Sequence, residues 1–179
     1  LVSMTLDEPV RWVDKRTLYR EADIVTVHVP LTRLTRNLVG AEELAMIDVI
    51  SRGRLECGFV RGVPYEIAPA NAFPYRGAEK LWEAHDLIIK AWTHHEGPFN
   101  FEGRWFHARQ VNIWPRPYQQ PHPPVWITMG SPGSAVKVAQ HKHVGAVFLA
   151  GYPNIRKLFD GYREGYLQGH GEEAPLDRL

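Results

Sequence analysis

Two patterns of hydrophobic residues alternate along the chain: short continuous runs and longer stretches with helical spacing. Short runs of β-branched and aromatic residues, typical of buried strands, are each followed by a stretch whose apolar residues recur at helical spacing. The runs predict strands at Ile24–Val29, Arg54–Val60, Val125–Met129 and Ala146–Leu149. Strands that alternate with helices form parallel β/α units. The pattern therefore predicts an α/β fold with about four such units.

The helical stretches between and around these strands are bounded by capping residues, glycine and proline. They predict helices at Asp14–Ala22, Ala41–Ile50, Arg76–Trp92, from about Pro132, and at Ile155–Leu167. Residues 97–124 contain aromatic residues, six of the fourteen prolines and little helical period, which predicts a hairpin-like excursion. We expect the chain to fray from Gly169 onward.

The composition and net charge limit the classes of molecule that the protein is expected to bind. The 179 residues are 44% hydrophobic and 23% charged, with a formal net charge of +1, so no global field favours nucleic acid or a membrane surface. No window approaches the roughly 20 apolar residues that span a bilayer, and the start of the sequence lacks the pattern of a secretory signal. Cys57 is the only cysteine, which excludes an internal disulfide. A cytoplasmic protein with a small-molecule partner is expected.

The segment "VWITMGSPGSAVKVA" predicts an anion site. A buried strand ends at Gly130 and Ser131, and a helix opens directly afterwards with Ser134 in its first turn. Free backbone N–H groups and the positive end of a helix dipole favour phosphate there. The alternative is that Ser131 only caps the helix.

Two arginines are further candidates for binding an anion. Arg61 follows the predicted strand in "GFVRG", at the strand end where α/β folds assemble their sites. Its alternative is a surface pair with Glu66. Arg76 begins the long helix, where a cation opposes the helix dipole unless it faces an anion.

The nine histidines suggest a metal site only weakly. His94 and His95 are adjacent and point apart on a helix, and no nearby carboxylate completes a set with His141 and His143. Solvated helix ends are the preferred interpretation, and no metal is expected. The sequence has neither a Gly-x-Ser-x-Gly elbow nor a Walker loop, which disfavours acyl and nucleotide phosphoryl transfer.

From Ala41 to about Tyr166, the runs "AEELAMIDVISRGRLECGFVRGVPYE", "YRGAEKLWEAHDLIIKAWT" and "VNIWPRPYQQPHPPVWITMGSPGSAVKVA" closely resemble the bacterial luciferase-like flavin-dependent monooxygenases. The resemblance implies a (β/α)8 TIM barrel that uses reduced FMN, supplied by a separate flavin reductase, and O2 to oxygenate a small organic substrate. It assigns the flavin phosphate to Arg61, Arg76 and the turn formed by Gly130, Ser131 and Ser134.

The chain departs from that family in several places. Val60 and Ala135 stand where relatives can carry cysteine and a hydroxyl residue, respectively. The family's catalytic histidine near an early strand has no counterpart, so the catalytic residues are unknown. Because such a barrel needs about 250 residues, the expectation is a partial barrel, incomplete or inactive alone, or completed in a homodimer.

A shorter stretch, "LYREADIVTVHVPLTRLTRNLVGAEELA" at Leu18–Ala45, resembles the D-isomer-specific 2-hydroxyacid dehydrogenases, with His28, Pro30 and Thr32 among the matching residues. That resemblance implies NAD, although the glycine fingerprint that should precede it is missing. The expected organisation is a dehydrogenase-like segment at 1–40, a luciferase-like partial barrel at 41–168 and a tail at 169–179. A dehydrogenase fragment and a non-catalytic fusion product are the alternatives.

Overall fold

A computed structural model describes residues 11–22, 39–62, 74–148 and 150–178 of the chain. The predicted strand Ile24–Val29 and nearly all of the predicted loop 64–74 lie outside these ranges. The described helices and strands follow one another as α1 (Lys15–Glu21), α2 (Ala41–Ser51), β1 (Cys57–Phe59), α3 (Gly77–Thr93), β2 (Phe99–Glu102), β3 (His107–Val111), β4 (Val125–Thr128), α4 (Pro132–Gln140), β5 (Val144–Ala146) and α5 (Tyr152–His170). Short 3-10 helices occupy Pro74–Arg76 and Leu176–Arg178.

Within the described part of the chain, three parallel strands form a sheet in the order β1-β4-β5. Cys57 lies opposite Val125 on β4, and Trp126 on β4 lies opposite Val144 on β5. The α/β prediction with parallel β/α units is confirmed, and the arrangement is that of part of a barrel. The predicted excursion is also present, as the antiparallel hairpin of β2 and β3.

One face of the sheet carries the core. Val125 and Ile127 point to this face and are 1% and 2% exposed, and they pack in one cluster with Trp92 of α3 and Tyr162 of α5. Alternate residues point the other way, because successive side chains on a strand face opposite sides. Trp126 on that second face is 39% exposed. Val144, which lies opposite Trp126 on β5, is only 5% exposed, so among the described residues this second face is open at Trp126 and covered at Val144.

Helices α4 and α5 pack closely because α5 presents glycines to its neighbour. A Cβ atom on Gly165 would lie only 2.5 Å from the Cα atom of Val136, and one on Gly161 would lie 3.1 Å from the carbonyl oxygen of Pro132. The backbones can approach this closely only where side chains are absent. This contact fixes where α4 begins relative to the sheet.

Two boundaries differ from the sequence predictions. Strand β5 begins at Val144 and ends at Ala146, not at Ala146–Leu149, because Trp126–Thr128 of β4 pairs with the earlier residues. The apolar run beyond Ala146 leaves the sheet, and Phe148 is 67% exposed. Helix α5 also continues to His170, beyond the predicted end at Leu167, and Arg178 donates a hydrogen bond to the Lys142 carbonyl oxygen at 3.3 Å.

The hairpin is fastened to α3 by one carboxylate. Glu83 accepts hydrogen bonds from the backbone N–H groups of Arg104, Trp105 and Phe106 at 2.9, 2.7 and 2.7 Å. These bonds hold the pKa of Glu83 below its usual range, although partial burial works in the opposite direction and is the largest single influence. The turn of the hairpin is thereby fixed beside the first half of α3. No described helix is long and apolar enough to cross a membrane.

Candidate functional site

Arg61 and the turn at Gly130 and Ser131 lie at the same, carboxyl end of the sheet. Arg61 follows β1, and Gly130 and Ser131 follow β4. Because β1 and β4 are adjacent and parallel, with Phe59 opposite Ile127, these residues emerge side by side. This is the end at which α/β folds place their ligands.

Ser131 caps α4, as its sequence position predicted. Its Oγ accepts a hydrogen bond from the N–H of Ser134 at 3.2 Å. The Oγ of Ser134 in turn accepts from the N–H groups of Gly130 and Ser131 at 3.1 and 2.9 Å. Pro132 has no N–H group. Among the described residues, the first-turn N–H group that has no acceptor is that of Gly133. An anion that binds here must replace the Ser134 hydroxyl as the acceptor for two N–H groups.

Arg61 and Arg76 both lie against the start of α3. A Cβ atom on Gly77, the first residue of that helix, would be 3.0 Å from Cγ of Arg61, so the absence of a side chain leaves room for the arginine stem. Arg61 is exposed, and among the described residues no carboxylate pairs with it. Its predicted partner Glu66 lies outside the described residues. Arg61 is therefore available to an anion above β1.

Arg76 shares a carboxylate with a residue that the sequence did not single out. The Nη1 atoms of Arg76 and Arg104 lie 3.7 and 3.2 Å from the same atom, Oε2 of Glu79. The Trp105 ring lies beside both, with its centroid 5.7 Å from Cζ of Arg76 and 5.0 Å from Cζ of Arg104. Glu79 supplies the anion that a cation at the start of a helix requires.

An open groove of about 560 Å³ runs between the first turns of α3 and α4. Trp82 and Lys137 face it, with Nζ of Lys137 4.2 Å from the ring centroid. Glu79, Glu83 and Asp86 also line it. Gly133 and Ser134 line it on the side of α4, so the groove adjoins the Ser131 turn. The three carboxylates disfavour an anion beside Lys137, and a phosphate fits better at the end of the groove next to Ser131.

One histidine prediction is wrong. His143 does not lie at a solvated helix end: it is 4% exposed, and its Nε2 lies 2.7 Å from Nε2 of His85, which is 3% exposed. Nδ1 of His85 lies 2.9 Å from Oδ1 of Asp86. A carboxylate only accepts, so His85 carries its proton on Nδ1 and His143 donates from Nε2. Within the described residues no group of three potential ligands could hold a metal ion.

This histidine pair makes stability depend on pH. Burial lowers the pKa of His85 and lowers that of His143 to about 3, so both are neutral in the folded state. The unfolded histidines bind protons near pH 6.5, so the stabilisation is complete above that pH and is lost below it. Below pH 6.5 the free energy of unfolding should therefore fall, at a rate that approaches about 1.4 kcal/mol per pH unit for His143, and His85 contributes in the same direction.

Urea unfolding at several pH values between 5 and 7.5 measures this slope. His143→Gln should flatten it, because one of the two depressed groups is removed. A parent protein whose stability does not change over this range would contradict the neutral buried pair.

Cys57 is structural. It is 4% exposed, and burial, with a smaller contribution from the Asp48 carboxylate, raises the pKa of its thiol to about 12. The thiolate is the reactive form of cysteine, so this thiol is unreactive at neutral pH.

This geometry, a parallel β/α sheet with anion-binding groups at its carboxyl edge, defines an α/β protein of the barrel class. The model of a protein family described as "Luciferase-like monooxygenase" matches residues 24–177, which is most of the chain. The chain belongs to the luciferase-like monooxygenase family.

Two curated relatives align with much of the chain. "Uncharacterized protein y4wF" of Sinorhizobium fredii is 33% identical over 137 residues, covering 75% of this chain and 39% of the relative. "Flavin-dependent trigonelline monooxygenase, oxygenase component" of Acinetobacter baylyi is 32% identical over 97 residues, covering 52% and 26%. The chain thus spans about two fifths or less of the length of these relatives.

Solved structures show the same fold. Monooxygenase RslO1 from Streptomyces bottropensis matches with a TM-score of 0.68 and 26% identity, covering 76% of this chain and 42% of that one. The oxygenating constituent of 3,6-diketocamphane monooxygenase from Pseudomonas putida, in complex with FMN, matches with a TM-score of 0.61 and 17% identity, covering 75% and 40%. An F420-dependent secondary alcohol dehydrogenase matches with a TM-score of 0.60 and 18% identity, covering 78% and 43%.

The resemblance to the 2-hydroxyacid dehydrogenases is matched by a shorter alignment. "Hydroxypyruvate reductase" of Thermotoga maritima is 46% identical over 39 residues, which is 22% of this chain and 13% of that protein. The likeness is dense but local. It gives weak support to the alternative of an NAD-dependent enzyme.

Proposed function

We propose that this chain is the flavin-binding part of a luciferase-like monooxygenase, which uses reduced FMN and O2 to oxygenate a small organic substrate. A separate flavin reductase would supply the reduced flavin, as the words "oxygenase component" in the name of one relative suggest. A cytoplasmic location accompanies the proposal.

One observation carries it: Arg61 and the Ser131 turn emerge side by side from adjacent parallel strands. The donor set fits a phosphate monoester, since a guanidinium, a helix N-terminus and small residues leave room for a tetrahedral anion. Arg61, Arg76, Gly130, Ser131 and Ser134 would hold the phosphate. When bound, the flavin supplies the redox chemistry with O2. The residues named here bind and orient it.

FMN is preferred over F420 and NAD as the cofactor. The likenesses to the FMN-bound and F420-dependent structures, at 17% and 18% identity, both concern the fold alone. The preference therefore rests on the 32% identical relative that is named flavin-dependent, whereas the likeness to a reductase covers only 39 residues. Protection by FMN but not by NADH in a thermal melt would favour the flavin assignment. The reverse result would favour the dehydrogenase.

Arg61→Ala is expected to weaken FMN binding at least about tenfold, because the loss of one charge-assisted phosphate bond costs roughly 1.5–3 kcal/mol. Titration followed by flavin fluorescence measures this. Arg54→Ala is the matched control, since Arg54 precedes the same strand and lies at its opposite end. If the parent and Arg61→Ala bound FMN with equal affinity, Arg61 would not be a ligand of the phosphate.

The second face of the sheet, which is exposed at Trp126, is proposed to pack against a second copy of this chain. Val60, Trp126 and Phe148 are 64%, 39% and 67% exposed, and among the described strands β1 and β5 each pair on one side only. A two-fold axis along the strands would place each β5 beside the partner's β1 and keep all strands parallel. Because the net charge of each chain is only +1, electrostatic repulsion between the two copies is small.

Sedimentation equilibrium tests this association. We expect a dimer for the parent and a shift toward monomer for Phe148→Asp, which places a charge in the apolar contact. Leu167→Asp, on the exposed side of α5, is the control and should remain dimeric. A monomeric parent would contradict the second copy and leave the face to another part of a longer barrel.

A further inference from the structure

The turn of the hairpin brings a third arginine to the edge of the proposed flavin site. Arg104 is 61% exposed, and its Nη1 lies 3.2 Å from Oε2 of Glu79, the same oxygen that lies 3.7 Å from Nη1 of Arg76. One anionic oxygen therefore reaches both guanidinium groups. Two guanidinium groups around a single oxygen form the kind of donor set that suits a phosphate, which offers three oxygens to such donors.

The position of Arg104 is built into the fold. The Glu83 carboxylate accepts the three backbone N–H groups of residues 104–106, so the turn is held beside α3. The Trp105 ring adds a second restraint, with Cζ of Arg104 and Nζ of Lys80 at 5.0 and 4.9 Å from its centroid. Cations within about 6 Å of an aromatic face are attracted to it.

The local charge is positive even with Glu79 in place. Arg76, Lys80 and Arg104 surround the Trp105 ring, and Glu79 is the carboxylate that pairs with two of them. Glu83 lies nearby, but its oxygens are occupied by the hairpin N–H groups. An anion of greater charge than a carboxylate would therefore be favoured between the arginines.

We propose that Arg104 is a ligand of the flavin phosphate, paired with Arg76, and that Glu79 holds the two guanidinium groups together until the phosphate displaces it. This inference rests on the proposed function and adds a residue from the hairpin, outside the parallel sheet and its flanking helices. It predicts opposite effects for two neighbouring residues. Arg104 strengthens FMN binding, whereas Glu79 competes with it.

Titrations with FMN and with riboflavin, which lacks the phosphate, test the proposal. Arg104→Ala should weaken FMN binding about tenfold and leave riboflavin unchanged, as expected for one charge-assisted bond. Glu79→Gln should strengthen FMN binding severalfold, because it removes a like charge and frees both arginines. The gain should disappear in the Glu79→Gln/Arg104→Ala double variant.

Arg109→Ala is the matched control. Arg109 lies on the same hairpin, is 63% exposed and pairs with Glu102, so its loss should not change FMN affinity. If Arg61→Ala weakens FMN binding while Arg104→Ala and Glu79→Gln both match the parent, the role of Arg104 is overturned and the proposed function stands. If the parent binds FMN no better than riboflavin, the proposed function fails and this inference fails with it.

Discussion

Gly165→Ala should destabilise the protein by about 3 kcal/mol or more, although alanine is the better helix former. The added Cβ would lie 2.5 Å from Cα and 2.7 Å from the carbonyl oxygen of Val136. Both are backbone atoms, so α4 and α5 must separate, and overpacking of this kind usually costs about 1–3 kcal/mol and sometimes more. The helix-propensity gain of roughly 1 kcal/mol cannot offset a backbone clash.

Gly169→Ala provides the matched control one turn further along α5. Its Cβ would lie 3.4 Å from the nearest atom, Cγ of the flexible Gln140 side chain. The substitution should be neutral or stabilising by up to about 1 kcal/mol. Urea unfolding of both variants measures the difference. Equal stability of the two variants would show that α4 and α5 are not in close backbone contact.

Asp48→Ala is the second substitution with a large expected effect. Asp48 is fully buried on α2, and its carboxylate accepts from the backbone N–H and the Nε2 of Gln119, both at 2.8 Å. Removing it leaves the partly buried backbone N–H of Gln119 without its acceptor and breaks two hydrogen bonds to a charged group. The loss should be about 3 kcal/mol or more in free energy of unfolding.

Asp48→Asn tests the same contact more gently. The asparagine keeps one oxygen acceptor but places an NH2 group toward a donor, so we expect a loss smaller than that of alanine. Chemical unfolding again gives the values. If Asp48→Ala had the same free energy of unfolding as the parent, Gln119 would not be held by α2. The chain before β4 would then be fixed in some other way.

The sequence predicted local features well where one element carries its own signal. The strand that ends at Thr128, the proline at the first position of α4 and the Ser131 cap are adjacent in the chain, and all three were found. The helix α3 was predicted to within one residue at each end because its apolar period is strong. Its first residues also place Arg76 where an anion is needed, which the helix dipole indicated in advance.

Contacts between distant residues could not be predicted in this way. His85 and His143 are 58 residues apart, and Asp48 and Gln119 are 71 residues apart, so no spacing rule connects them. His143 was assigned to a solvated helix end because the helix before it does end there. The burial comes from α3, which packs over that end. Arg104 was missed for the same reason, since Glu79 and Glu83 bring it into place from another element.

The predicted bounds of strand β5 were wrong for a different reason. The run after Ala146 is apolar and resembles a strand, but β4 offers pairing partners to Val144–Ala146 instead. In a barrel, apolar residues just beyond a strand can face the mouth or a neighbouring chain. The exposed Phe148 is such a residue. Hydrophobicity alone does not distinguish these two places.

Comparison of FMN with riboflavin is the most direct test of the central claim that the carboxyl edge of this sheet binds a flavin phosphate. The two ligands share the ring system and differ in the phosphate. We expect the parent chain to bind FMN at least about tenfold more tightly than riboflavin, and Arg61→Ala to remove most of that difference. Equal affinity for the two ligands, or no affinity for FMN, would contradict this claim.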